Sequence, residues 1–246
     1  MEYLERSYRE LHRQDDLVHF QVAVKETDLD IGVRKERFSP ELVRWVEDII
    51  RTSRQPLEEY LKRDPQFIKA LTPHPLLPDA PAIVQEMAQA AELAGVGPMA
   101  AVAGTMAAWV GKALAKRTRD LIVENGGDIY IRTNRVRTVG IFAGKSPLSN
   151  RIALEIRPNQ SPLGICTSSG RVGPSLSLGK ADAVVILSPS AALADAAATA
   201  AGNLVQAKED IEKAVNLASG IPGVTGAVVI MNDQLAVWGQ VKLCPM

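Results

Sequence analysis

Cysteine, histidine and net charge are all scarce in this chain of 246 residues. Its two cysteines, Cys166 and Cys244, lie far apart and form neither a CxxC pair nor a disulfide framework, which points to a reducing compartment. Its three histidines, His12, His19 and His74, show no metal-type spacing and none falls in the second half, which argues against a zinc site or a Ser-His-Asp triad. Lysine plus arginine (28) balance aspartate plus glutamate (28), so the chain advertises no nucleic-acid or other polyanionic partner. The start "MEYLERSYRELHRQ" is charged and has no apolar h-region, so the expectation is a cytoplasmic protein. One run invites a test as a membrane span: "LAGVGPMAAVAGTMAAWVG", uncharged from Leu93 to Gly111. Its Ala and Gly content and Pro98 fit a tightly packed core helix better. "GIFAGKS", Gly140 to Ser146, is one residue short of P-loop spacing and no helical pattern follows it.

What the chain does have is an ordered succession of strand-like and helix-like segments. "SYRELHR" and "VHFQVAVKETDLDIGV" read as two strands with a turn at "QDD". Helical spacing follows in "SPELVRWVEDIIRTSRQPLEEYLKRDPQF", with Ser39 as N-cap, Pro40 at the first helical position, and Pro56 and Pro65 as interruptions. The proline-rich "LTPHPLLPDAP" is an extended connector before two further helices, the second almost wholly apolar and therefore buried on most sides. "DLIVE", "NGGD" and "IYIRT" make a second hairpin. Strands at "RTVGIFAG", "RIALEIRP" and "GICT", helices at "SPSAALADAAATAAGNLVQ" and "EDIEKAVNLASG", and a closing hairpin around "ND" complete the order. Hairpin, helices, hairpin thus occurs twice. The expected fold is α+β with antiparallel sheets and helices on one face, a single domain spanning 1–246 in two pseudo-repeats, 1–133 and 134–246, dividing near Thr133.

Three stretches could carry chemistry. In "VENGGDI", Asn125, Gly126, Gly127 and Asp128 form either an ordinary type I′ turn or a turn longer than the hairpin requires, whose second glycine admits a ligand and whose Asp128 or Glu124 accepts a hydrogen bond from it. In "GICTSSGRVGPSLSLGKADAVVIL", Thr167, Ser168, Ser169 and Gly170 form either a solvated loop or an anion-binding concavity, with Arg171 and Lys180 as sources of charge. Cys166 beside them reads as a small core residue, since no histidine is near in sequence to activate it. In "LADAAATA", Asp195 and Thr199 share one helical face. They are either oxygen ligands suited to Mg²⁺, or an acid at the helix N-terminal dipole and a threonine bonded back to its own helix.

Taken in order, "ENGGDI", "TSSG" and "ALADAAATA" resemble the ApbE-like superfamily, whose known enzymes are FAD:protein FMN transferases. The whole chain looks closer still to a short UPF-type branch that carries "VGPMAAVAG", "VENGGDI", "CTSSG", "GKADA" and "ADAAATA". The resemblance implies a duplicated T-fold-like α+β unit, in agreement with the order of elements. It implies a flavin nucleotide at Gly126, Gly127 and Asp128 and at Thr167, Ser168 or Ser169 and Gly170, with Mg²⁺ on Asp195 and Thr199. The implied activity is Mg²⁺-dependent binding of a phosphorylated cofactor such as FAD, extending to FMN transfer with release of AMP. From Arg171 to Lys180 this chain replaces the His-containing stretch, ending in Asp-Pro-x-Thr-Gly, of the transferases. A non-catalytic binder of a pterin or purine on a T-fold-type scaffold is therefore the alternative. A third reading is a homo-oligomer packed through the small-residue helix Ala100 to Ala115.

Overall fold

A computed structural model describes residues 7–170 and 178–246. The first hairpin is β1 (Leu17–Val24) with β2 (Thr27–Arg34), turning at Lys25 and Glu26. The expected first strand, "SYRELHR", is instead a 3-10 helix over Ser7–His12. The segment "VHFQVAVKETDLDIGV", expected as a single strand, supplies all but the first residue of β1 and the last of β2. Lys25 adopts a φ of 53°, the left-handed conformation that lets the chain reverse there.

Helix α1 (Pro40–Arg63) begins as its sequence dictates: Ser39 accepts the Leu42 N–H at 3.2 Å and Pro40 occupies the first turn. It runs through Pro56 rather than stopping there, because its apolar stripe, Leu42, Val46, Ile50, Leu57 and Tyr60, stays buried along its whole length. Asp64 caps the short α2 (Pro65–Lys69), and the proline-rich connector carries neither helix nor strand, turning at Asp79 with φ 58°. Helix α3 (Ala82–Ala94) ends at Gly95 with φ 71°. A 3-10 turn at Pro98–Ala101 leads into α4 (Val102–Leu114). The apolar run therefore breaks into two helices bent by 105°, and no single helix among the described residues is long and apolar enough to cross a membrane. Most of α4 is buried within its own chain, with Val102, Ala103, Trp109 and Ala113 half-buried and Lys112 exposed.

The remaining strands are β3 (Leu121–Asn125), β4 (Asp128–Arg132), β5 (Arg137–Gly140), β6 (Ile152–Ile156), β7 (Leu163–Ser168) and β8 (Ala183–Ser188). Helices α5 (Ala191–Leu204) and α6 (Ile211–Gly220) then precede β9 (Gly226–Met231), β10 (Gln234–Gly239) and β11 (Leu243–Pro245). Eight strands form one antiparallel sheet in the order β1-β2-β3-β4-β7-β8-β9-β10. The fold is α+β with antiparallel sheets, as expected.

Strand alternation sorts two cores. Leu29, Ile31, Val33, Leu121 and Val123 join the helices in one cluster, while Ile122, Ile129, Ile131 and Ile165 join Val139, Leu154 and Ile156 in the other. The second face is thus covered by a small sheet, β11-β6-β5, that sequence reading did not separate from the main one. Strands β4 and β7 meet in mid-sheet through Ile129↔Ile165, Tyr130↔Gly164 and Ile131↔Leu163.

Candidate functional site

The three stretches singled out in the sequence converge where β4, β7, α4 and α5 come together. The β3–β4 turn consists of two residues, Gly126 (φ 67°) and Gly127 (φ 103°), because Asn125 and Asp128 pair as the last rung of the ladder. Two successive positive φ values are what a type I′ turn requires, and glycine supplies them without a Cβ penalty. Asn125 and Asp128 are accordingly strand residues with directed side chains. The Asn125 amide donates to the Ala103 carbonyl at 3.1 Å, while an Asp128 carboxylate oxygen accepts the Thr167 N–H at 3.3 Å.

Glycines also let α4 and α5 approach. A Cβ on Gly104 would stand 2.4 Å from the Ala191 carbonyl oxygen and 2.9 Å from the Asp195 Cβ, and one on Gly164 would stand 2.4 Å from the Ala191 Cα. With those side chains absent, α5 lies down against α4 and β7. The Gly104 N–H, one of the unbonded donors of a helix's first turn, then reaches the Asp195 Oδ2 at 2.9 Å. Asp195, Thr199 and Gly202 follow one another on one face of α5. At its far end a Cβ on Gly202 would sit 3.2 Å from the Ser168 Oγ, so this face looks onto the end of β7.

Burial dominates the electrostatics. It pushes the Asp195 carboxyl up to about 7, against the opposing N–H groups of Gly104 and Ala103. Burial and then the neighbouring Asp195 raise Asp128 well above the usual carboxylate range. No ion pair reaches either carboxylate among the described residues. Cys166 is fully buried and its thiol is pushed well up, first by burial and then by Asp128 and Asp195, so it remains a protonated core residue.

Two members were missed as supports. Glu124 is wholly buried: one carboxylate oxygen accepts the Gly127 N–H at 2.7 Å and the other accepts the Arg9 Nε at 2.8 Å. It holds the turn from beneath, which corrects the expectation that it faces a ligand. Arg9 comes from the 3-10 segment read as a strand, and only its separation of 115 residues from Glu124 kept the pairing out of sight.

The rest of the serine-rich stretch is dispersed. Thr167, Ser168 and Ser169 are half-buried at the end of β7. Gly170 is exposed, donates its N–H to the Ala181 carbonyl, and has no room for a Cβ against the Gly179 carbonyl oxygen. Lys180 is exposed, and its backbone N–H donates to the Val205 carbonyl at 2.7 Å. Arg171, with positions 172–177, lies outside the described residues.

A family model described as AbpE bacteria matches residues 9–237. A UPF0280 protein of Methanosarcina acetivorans is 41% identical over 225 residues, covering 91% of this chain and 86% of its own. Among solved structures, the flavin transferase ApbE from Vibrio cholerae superposes with a TM-score of 0.56 at 12% identity, covering 91% of this chain and 97% of that one. The flavinyl transferase ApbE of Pseudomonas stutzeri, in its apo form, superposes with a TM-score of 0.52 at 14% identity over 92% and 95% of the two chains. At such identities the likeness is one of fold.

Proposed function

The chain belongs to the AbpE bacteria family, and on that premise we propose that it binds a flavin nucleotide with Mg²⁺ at the junction of β4, β7 and α5. The observation that carries this reading is the pair of carboxylates, the buried Asp128 and the half-buried Asp195, each raised in pKa and neither ion-paired among the described residues. Charge of this kind is relieved by a cation. The donors fit a hard one: Asp195 and Thr199 offer a carboxylate and a hydroxyl one turn apart, and the protonated Cys166 offers no competing thiolate. Mg²⁺ bound there supplies positive charge against a diphosphate.

The chain's own residues do the remaining work. Among the described residues Gly126 has nothing within 4 Å of where a Cβ would stand, and Gly127 only the Thr167 carbonyl oxygen at 3.9 Å, which leaves the turn backbone open to a planar ligand. Glu124 fixes that backbone through the Gly127 N–H, and Asp128 fixes Thr167, so the turn and the strand end are held in one register. Thr167, Ser168 and Ser169 add hydroxyl donors for phosphate oxygens, with Asn125 at the end of β3 and Gly170 just past β7 bordering them.

FMN transfer from FAD is the narrower version of this reading. Residues 1–246 would act in it as one domain of two repeats, β1–β4 and β7–β10, each with its helices between hairpins. The free thiols of Cys166 and Cys244 suit a cytoplasmic setting.

Titration of the purified chain with FAD and FMN, with and without Mg²⁺, tests binding by flavin fluorescence. Mg²⁺-dependent quenching that weakens in Asp195→Asn and Thr199→Val is expected. Absence of flavin binding at millimolar Mg²⁺ refutes the reading, and tight binding of a pterin or purine in its place establishes the alternative. AMP release from FAD separates transfer from binding alone.

A further inference from the structure

On the opposite face of the sheet the fold assembles a group of side chains that sequence spacing had argued against. His19 on β1 stands across from Gly32, and Asp30 on β2 lies two residues before that glycine, so the two side chains are diagonal neighbours. A Cβ at Gly32 would meet the His19 Nε2 at 2.7 Å, so the bare strand is what seats the imidazole. His12 closes over them from the end of the 3-10 helix. Its Nε2 lies 3.0 Å from Asp30 Oδ2, and the His19 Nδ1 lies 2.7 Å from the same oxygen. One ligand atom from each residue falls within 4.8 Å of the others. The two rings, 5.8 Å apart and tilted by 49°, converge on the carboxylate without stacking.

This group is buried and incompletely satisfied. Asp30 is 1% exposed and His12 2%. Among the described residues the Asp30 Oδ1 and the His19 Nε2 have no hydrogen-bond partner, and both atoms are buried. Among the described residues no lysine or arginine pairs with Asp30; the nearby Arg9 is engaged by Glu124 and Asp28. Two imidazoles and one carboxylate are a donor set preferred by first-row divalent ions, where neutral histidine supplies nitrogen and the carboxylate supplies charge. Ligands held at ~2.0–2.1 Å in a tetrahedron stand roughly 3.3 Å from one another, against 2.7 and 3.0 Å here from the imidazoles to the Asp30 oxygen and no more than 4.8 Å between any two of the three ligand atoms.

We propose that His12, His19 and Asp30 bind one divalent transition ion of the zinc class, which clamps the 3-10 segment onto the first hairpin. The unpartnered Asp30 oxygen, or a water, completes the coordination. The clamp also reaches the other site, since Arg9, three residues before His12, holds the Glu124 that fixes the glycine turn. The proposal does not depend on flavin binding.

Co²⁺ titration of the chelator-treated full chain tests it, with visible d–d absorption as the readout. One equivalent of bound Co²⁺ is expected, displaced by Zn²⁺ but not by excess Mg²⁺. The signal survives in Asp195→Asn, and affinity falls roughly 100-fold or more in His12→Gln and Asp30→Asn. A folded wild-type chain that takes up no Co²⁺, or absorption unchanged in His12→Gln, overturns the proposal. X-ray absorption of the Zn²⁺-loaded wild type decides independently of any variant's folding. A shell with two imidazoles and oxygen near ~2.0 Å supports it, and sulfur or oxygen-only ligation overturns it.

Discussion

Replacing Asp195 with asparagine is expected to stabilise the metal-free protein at pH 8 and to change little at pH 4. Burial raises this carboxyl to about 7 in the folded chain, against an ordinary value of 3.8. The folded state therefore keeps its proton over a range in which the unfolded chain has already lost it, and stability falls as pH rises from about 4 through about 7. Above that window the charged carboxylate costs about 4 kcal/mol. Partial solvent access and the sharing of charge with Asp128 reduce this to about 3 kcal/mol. Asparagine removes the charge and retains an oxygen for the Gly104 N–H. For a chain of this length the gain corresponds to a rise in Tm of roughly 6–12 °C. Thermal and urea unfolding of both proteins at the two pH values measure it. Adding Mg²⁺ at pH 8 should then raise the Tm of the wild type alone, closing the gap. A variant that is destabilised at pH 8, or whose effect is equal at both pH values, refutes the assignment of Asp195 as a buried charge awaiting a cation.

Three further outcomes follow from the same geometry. Gly104→Ala drives a methyl into the Ala191 carbonyl and should cost about 1–3 kcal/mol in urea unfolding, with a parallel loss of Mg²⁺ affinity by calorimetry as α4 is pushed off Asp195. Thiol titration with a disulfide reagent should find one group reacting promptly, the half-buried Cys244. Cys166 should react only on unfolding; prompt modification of both contradicts the burial of the site. Ser39→Ala should lower stability by about 1 kcal/mol through loss of the α1 cap, without changing ligand binding.

Features whose cause is local were legible in the sequence. Ser39 and Pro40 announced the start of α1, and "NGG" announced a turn with positive φ. Asn232, at φ 56°, turns the closing hairpin where "ND" had been read. Pro56 misled because burial of the α1 stripe outweighs the one hydrogen bond that proline removes. The first strand misled because "SYRELHR" alternates like a strand, yet its Arg9 and His12 are held by partners on other elements: Glu124 and Asp28, and Asp30. The candidate site was legible as motifs and in its main members. Its supports were not, since Glu124 with Arg9 and Gly104 with Asp195 meet only across the folded sheet. The histidine group was hidden for the same reason: strand register, and not spacing along the chain, sets His19 beside Asp30.

The β4–β7 seam has one more consequence. Gly104 and Asp128 precede that join in the chain, whereas Thr167 and Asp195 follow it, and only three residue pairs connect the two strands. Neither fragment of a chain cut after β4 holds both the glycine turn with Asp128 and the β7 end with Asp195. If the proposed flavin site is right, flavin fluorescence is quenched only after the two fragments are mixed, and the quenching then reports their reassembly.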